Sequence, residues 1–189
     1  ARIHIFLATS DEHIKAKFWN KAPTLGEMRE WLREQINSEV GSAKDYKDTH
    51  NEKLEIEFSP EDATGNALSK KEDGKKYLDF ESEQFNFLVE VCELAIRKGA
   101  TIINTPDTLW NFLPHETERF FKELSRRLTH LKDEWFEFDL SAHIHNDLWM
   151  VSANAIAAIR WWATQIELTI EGLWERAWNT SLHEIIGII

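Results

Sequence analysis

The stretch Ser141 to Met150, SAHIHNDLWM, places two histidines at alternate positions of a segment with the composition of a β-strand. Side chains two residues apart in a strand point to the same side of the sheet. His143 and His145 can therefore present two imidazoles to one point in space, as a metal site requires. Short His-x-His patterns also occur as ordinary polar strand ends, so the interpretation depends on the surrounding chain.

Composition predicts one soluble domain. The chain has 189 residues, of which 42% are hydrophobic and 29% charged, values ordinary for a globular domain with a core. A net charge of -11 argues against nucleic acid or an anionic membrane as the main partner. No apolar run approaches the ~18 residues of a membrane helix, and a single cysteine, Cys92, excludes an intrachain disulfide. We expect a cytoplasmic protein, and the start at Ala1 inside a strand pattern indicates an internal fragment.

Strand and helix patterns alternate along the chain. Strands are predicted at Arg2 to Thr9, Leu54 to Phe58, Thr101 to Asn104, the His-x-His stretch and Gln165 to Ile170. Helices are predicted after Thr24, at Ser82 to Lys98, from Pro114, at Ala153 to Ala163 and after Ser181. The spacing of Thr24 to Glu27 is that of a capping box, and Ser181 with Glu184 could cap the last helix. A polar connection is expected at 37–53 and a charged, solvated loop insertion at about 64–80. The result is five consecutive strand-helix units.

This alternation implies a parallel sheet with helices outside it. His4 lies within the first predicted strand. Four polar clusters each follow an apolar run of the chain: Ser59 to Glu61, Pro106 to Thr108, His143 to Asp147 and Glu175 to Asn179. In a (β/α)8 barrel the carboxyl ends of the strands form the catalytic face, so these clusters would converge. Five units cannot close eight strands. We therefore predict an α/β fold that is a partial TIM (β/α)8 barrel, with three units upstream.

Five segments resemble, in order, the last five barrel strands of the α-isopropylmalate synthases, within the wider family that includes homocitrate and citramalate synthases. The segments are RIHIFLATS, EFSPEDA, INTPDT, AHIHNDL and IEGLWERAWNTSLHE. The resemblance covers most of the chain except 37–53 and 64–80. It implies a divalent-metal acyltransferase that condenses acetyl-CoA with a 2-oxo acid, which is 2-oxoisovalerate in the leucine-pathway member, and it implies a homodimer.

The resemblance also assigns roles to residues. The metal ligands would be His143, His145 and Asn179, joined by an aspartate from a motif outside this chain. His4, Ser59 and Thr108 would contact the substrate, and Glu61 and Thr108 would act in catalysis, Thr108 as a hydrogen-bond donor to the oxo acid. Such ligands suit Mg²⁺, Mn²⁺ or Zn²⁺ and do not select among them. The alternatives are a homocitrate or citramalate synthase, or a non-catalytic, degenerate barrel fragment.

Tryptophan stands where this family has glycine. The positions are Trp110, Trp149, Trp162, Trp174 and Trp178, and the other four tryptophans, Trp19, Trp31, Trp135 and Trp161, could also replace glycine. The chain has 7 glycines and 9 tryptophans, whereas ~7% glycine is usual. We hypothesise that UGA codons read as glycine in the source are written here as tryptophan. The alternative is a genuine, diverged chain, which we expect to fold weakly, with indoles crowding the metal and no condensation activity.

Overall fold

The computed structural model describes residues 1–50, 53–109, 112–174 and 176–189. Trp110 and Glu175, two residues of the sequence predictions, lie outside the described residues. The strands are β1 (Arg2–Ala8), β2 (Glu55–Glu61), β3 (Leu68–Lys70), β4 (Lys76–Leu78), β5 (Ile102–Asp107), β6 (Asp139–Ile144) and β7 (Ala163–Ile166). The helices are α1 (Asp11–Phe18), α2 (Leu25–His50), α3 (Glu83–Lys98), α4 (Pro114–Asp133), α5 (Val151–Arg160) and α6 (Leu182–Ile188), with 3-10 turns at Thr64–Ala67 and Ile170–Gly172.

Five strands form one parallel sheet in the order β1-β2-β5-β6-β7. Each neighbouring pair along this order is also consecutive among the sheet's strands in sequence, as in a (β/α)8 barrel. The core lies between the sheet and the helices, where Ile56, Phe58, Ile103, Leu88 and Leu124 are fully buried. The fold is therefore α/β and corresponds to part of a (β/α)8 barrel, as predicted.

Helix α2 begins where its capping box predicts. The Thr24 hydroxyl accepts a hydrogen bond from the Glu27 amide, and the Glu27 carboxylate accepts one from the Thr24 amide. The helix then continues to His50, so the polar connection predicted from residue 37 is wrong. Ile36, Val40 and Ala43 are buried at helical spacing, and this apolar stripe holds the polar segment on the core. Among the described residues, no helix is both long and apolar enough to cross a bilayer.

Residues 64–80 contain more structure than the predicted solvated loop. The 3-10 turn Thr64–Ala67 is buried, and β3 and β4 form an antiparallel hairpin whose turn includes Gly74 at φ 80°.

The last strand of the sheet, β7, begins and ends earlier than predicted. At α6 the Ser181 side chain makes no capping bond, since its hydroxyl contacts His183 Nδ1 at 2.8 Å, and Glu184 bonds to Ser152 instead.

Four tryptophans have backbone conformations that favour glycine. The φ angles are 70° at Trp135, 59° at Trp149, 83° at Trp162 and 81° at Trp178. A Cβ in this left-handed region costs roughly 1–2 kcal/mol. Trp135 and Trp149 are 93% and 78% exposed, so packing of these two indoles offsets little of the strain. The fold thus places glycine-type backbone at Trp149, Trp162 and Trp178, three of the five positions where the resemblance implied glycine.

Candidate active site

A cleft of about 210 Å³ opens at the carboxyl ends of the sheet strands. Ten side chains line it: His4, Phe6, Ser59, Glu61, Asn104, Pro106, Thr108, His143, His145 and Glu167. Six of the seven residues predicted for the site are among them. The seventh, Asn179, contacts His143 through its side chain. The parallel order of the strands brings these residues together from positions up to 175 apart in sequence.

The two histidines of the His-x-His motif present their Nε2 atoms to each other at 3.1 Å. His143 lies in β6, and His145 follows the strand, where a backbone bridge to Asn179 holds it. Nitrogen ligands 2.0–2.1 Å from one metal ion, at angles between octahedral and tetrahedral, are about 2.9–3.4 Å apart. The separation of the two Nε2 atoms therefore matches that of two nitrogen ligands on a single metal ion.

Asn179 is the third predicted ligand, and its amide is oriented differently from a metal ligand. Its Nδ2 lies 3.3 Å from His143 Nε2, whereas its Oδ1 accepts a hydrogen bond of 2.7 Å from the Thr180 amide. A metal ion binds amide oxygen. Ligation by Asn179 thus requires a rotation of its amide and loss of the bond to Thr180.

Substrate-type residues lie beside the histidines. Ser59 Oγ is 2.7 Å from His4 Nε2 and accepts a hydrogen bond of 3.0 Å from Asn104. Thr108 Oγ accepts one of 3.1 Å from the Asp62 amide, so the Thr108 hydroxyl hydrogen remains available for donation. Glu61 is paired with Lys17, whose Nζ lies 2.5 Å from both carboxylate oxygens. The cleft therefore combines hydroxyl donors with a paired carboxylate at its edge.

Two carboxylates of the site were missed by sequence reasoning. Glu57 and Glu167 bring oxygen atoms close to His4, with the three ligand atoms within 4.8 Å of one another, which offers an alternative place for a metal. Glu57 alternates with Ile56 and Phe58 in β2, so period-2 patterning was the signal that it faces away from the core. Glu167 follows β7 directly, and the misplaced strand prediction concealed it.

The two carboxyl groups have opposite protonation preferences. Burial, together with contact with Glu167, raises the pKa of Glu57 to about 7, against the effect of Arg2. Burial alone would raise the pKa of Glu167 as well, but hydrogen bonds from His143 and Glu57 hold it at about 2. Burial, and then the neighbouring His143, lower the pKa of His145 to about 4. Near neutral pH the site therefore contains an ionised Glu167, a neutral His145 and a partly protonated Glu57.

Glu57→Gln is expected to remove a pH dependence of stability. A carboxyl whose pKa rises on folding stabilises the folded state below its unfolded pKa, near 4.5, and this contribution disappears as the pH rises to about 7. Between pH 5 and pH 8 the free energy of unfolding of the parent chain should therefore fall by on the order of 2 kcal/mol. The variant keeps an amide hydrogen for Glu167, and its free energy of unfolding should not show this fall. Urea unfolding at both pH values measures this, with Glu137→Gln, an exposed glutamate outside the Arg2 network, as control. An equal fall in the free energy of unfolding of the parent and of Glu57→Gln would contradict the raised pKa of Glu57.

Tryptophan does not crowd the cleft in the described part of the chain. No tryptophan is among the residues that line it. Trp149 and Trp178 line a second pocket, which also includes Asn179, the third predicted metal ligand. The described tryptophans thus lie outside the cleft of the two histidines, and the expected crowding of the metal by an indole stays a prediction beside Asn179. The effect of the tryptophans is on the backbone, since Trp178 at φ 81° directly precedes Asn179.

The chain matches a protein family and a set of curated enzymes. The HMGL-like family model matches residues 74–189. The chain is 39% identical over 188 residues to the 2-isopropylmalate synthase of Dictyoglomus turgidum, covering 100% of this chain and 31% of that protein. It is 36% identical over 185 residues to the 2-isopropylmalate synthase of Pyrococcus furiosus, covering 98% and 30%. The chain thus spans about three tenths of the length of these curated relatives.

Solved structures with the same fold include lyases. The hydroxymethylglutaryl-CoA lyase from Pseudomonas aeruginosa superposes with a TM-score of 0.62 at 13% identity, covering 99% of this chain and 54% of that one. The HMG-CoA lyase from Brucella melitensis gives a TM-score of 0.62 at 14% identity, covering 99% and 57%. At these identities the similarity establishes the fold alone.

Proposed function

This chain belongs to the HMGL-like family, and on that premise we propose that it is the C-terminal part of the catalytic barrel of a 2-isopropylmalate synthase. The proposed reaction is the condensation of acetyl-CoA with 2-oxoisovalerate, in leucine biosynthesis, by a metal-dependent acyltransferase that acts as a homodimer in the cytoplasm. The remaining barrel units and the aspartate ligand would come from the longer protein. The curated relatives reported above are 2-isopropylmalate synthases, which supports a catalytic role.

One observation carries the proposal. The Nε2 atoms of His143 and His145 are 3.1 Å apart, in the same cleft as Ser59 and Thr108, in a chain 39% identical to a 2-isopropylmalate synthase. Two imidazoles at ligand spacing with hydroxyl groups beside them suit a carboxylate-bearing carbonyl substrate. A divalent metal bound there would polarise the ketone of the oxo acid and stabilise the alkoxide that forms when the acetyl carbanion attacks.

The chain's own residues would orient the oxo acid. The Thr108 hydroxyl can donate to its carboxylate because the oxygen already accepts from Asp62. His4 and Ser59, held together at 2.7 Å, would contact the substrate from β1 and β2. Glu61, paired with Lys17, would support acid-base chemistry at the edge of the cleft. A base that removes the acetyl proton is not assigned to this chain.

A second candidate is a non-catalytic fragment, and the strained tryptophans favour it. The fold places Trp178 in left-handed backbone beside Asn179, which a residue with a Cβ disfavours, so a chain that truly contains these tryptophans would present the third ligand on a strained segment. Homocitrate and citramalate synthases remain alternatives within the enzyme class. The three enzymes differ in the oxo acid consumed, which makes substrate choice the deciding measurement.

The test is an activity assay on the protein that contains this chain, purified from its source. We expect thiol release from acetyl-CoA with 2-oxoisovalerate, at a rate at least 10-fold above that with pyruvate or 2-oxoglutarate. Chelation of divalent metal should abolish the reaction, and Mn²⁺ or Mg²⁺ should restore it. A preference for 2-oxoglutarate or pyruvate would reassign the substrate. No turnover with any of the three, in metal-loaded protein, would support the non-catalytic alternative.

A further inference from the structure

The backbone places Glu167 beside His143, one of the proposed metal ligands. The Glu167 amide donates a hydrogen bond of 2.9 Å to the Ala142 carbonyl, which extends the pairing of β7 with β6 by one step. The residue after Ala142 is His143, and Glu167 Oε2 lies 2.6 Å from His143 Nδ1. The carboxylate therefore approaches the ring nitrogen on the side opposite the one that faces His145.

This contact determines which ring nitrogen carries the proton. An ionised carboxylate only accepts hydrogen bonds, so the 2.6 Å contact requires a hydrogen on His143 Nδ1. In a neutral imidazole the other nitrogen then carries a lone pair. That nitrogen, Nε2, lies 3.1 Å from His145 Nε2 and 3.3 Å from Asn179 Nδ2, at the point where a metal ion fits.

The carboxylate is itself held by groups from other strands. Glu57 is buried in β2 and donates to Glu167 in its protonated form. Arg2 in β1 contacts Glu57 Oε2 at 2.5 Å and Gln165 at 2.8 Å. A chain of contacts from Arg2 through Glu57 thus supports Glu167 from two other strands, β1 and β2. Such support is what a group that orients a ligand needs.

We propose that Glu167 is a positioning residue, which holds His143 in the Nδ1-protonated tautomer and directs its Nε2 lone pair at the metal. The role of the oriented nitrogen rests on the metal site proposed above. The tautomer itself does not, because the hydrogen bond exists without metal. Removing a partner of this kind typically lowers metal affinity 10–100-fold.

The tautomer can be measured directly by long-range ¹H–¹⁵N correlation of the imidazoles in the metal-free chain at pH 8, with His143→Gln to assign the signal. We expect His143 to be protonated at Nδ1 in the parent chain and to shift toward the Nε2-protonated form in Glu167→Ala. Glu167→Gln, which keeps an oxygen acceptor, should retain the parent tautomer. Glu137→Ala, which removes an exposed glutamate outside the Arg2 network, is the matched control and should change nothing.

Zinc titration of the same variants completes the test. Glu167→Ala should weaken Zn²⁺ binding 10–100-fold, with Glu167→Gln nearer the parent. An Nε2-protonated His143 in the parent, or an unchanged tautomer in Glu167→Ala, would overturn the inference. A tautomer that depends on Glu167 in a parent chain that binds no Zn²⁺ would support the hydrogen-bond assignment and contradict the proposed metal site. Anomalous scattering from a metal at His4, Glu57 and Glu167 would make Glu167 a ligand and also overturn it.

Discussion

Replacing Trp135, Trp149, Trp162 and Trp178 together by glycine is expected to raise the free energy of unfolding by about 4 kcal/mol. Each has φ between 59° and 83°, where a Cβ costs roughly 1–2 kcal/mol. Trp135 and Trp149 are 93% and 78% exposed, so their removal loses little packing. Trp162 and Trp178 are more covered, and the packing they lose offsets part of the gain. Urea unfolding of the parent and the fourfold variant measures the difference, and among the single variants the two most exposed positions, Trp135 and Trp149, should contribute the largest shares.

Trp31→Gly is the matched control for this experiment. Trp31 lies within α2, where it packs against Phe18 with ring centroids 5.0 Å apart and against the Lys21 ammonium at 5.5 Å. Glycine there removes partly buried apolar surface and weakens a helix by about 1 kcal/mol. We expect this variant to be destabilised. Destabilisation of the fourfold variant as well would show that the indoles contribute more than the backbone strain.

The result bears on the identity of the residues in the native protein. Stabilisation by glycine at the left-handed positions is what recoding of UGA as glycine would produce, because the fold would then have been built around glycine at those sites. Peptide mass spectrometry of the protein from its source, over residues 170–189, reads positions 174 and 178 directly. Glycine at both would establish recoding, and tryptophan at both would favour the degenerate fragment.

Local signals in the sequence were sufficient for much of the fold. The Thr24 capping box, the Ser82 cap of α3 with Gly99 at its end, and Pro114 at the start of α4 each act within a few residues. Helix α2 beyond residue 37 could not be predicted in this way. Its polar composition indicates a connection, and only packing of Val40 and Ala43 on the core makes it helical.

The candidate site could also be predicted only in part. His143 and His145 share a face because strand geometry has a period of two residues, and this can be predicted from ten letters. Glu57 and Glu167 are 110 residues apart in sequence, and their contact depends on which strands face each other across the open sheet. Both lie within strands that the sequence predicted, Leu54 to Phe58 and Gln165 to Ile170, but the pattern gave neither of them a place in the site. The pattern contained no information on the hydrogen bond from His143 that gives Glu167 its proposed role.

His145→Ala is expected to lower the affinity of the chain for Zn²⁺ at least about 100-fold, and His143→Ala should do the same. Each variant removes one of two imidazoles from a site that has Asn179 as its only other predicted ligand from this chain, a larger loss than that of a supporting partner, which typically costs 10–100-fold. Calorimetric titration with Zn²⁺ measures the affinity. His130→Ala, which removes an exposed histidine of α4, is the control for adventitious binding.

Thermal unfolding separates loss of the metal site from loss of the fold. Zn²⁺ at 100 times its dissociation constant should stabilise the parent chain by about 2.7 kcal/mol, and this increment should vanish in both variants while their metal-free stability changes less. His4→Ala distinguishes the two places for a metal, because His4 belongs to the cluster with Glu57 and Glu167. If His4→Ala abolished the increment and His145→Ala retained it, the metal would lie in that cluster. The paired imidazoles, 3.1 Å apart, would then act on the substrate as proton donors and acceptors.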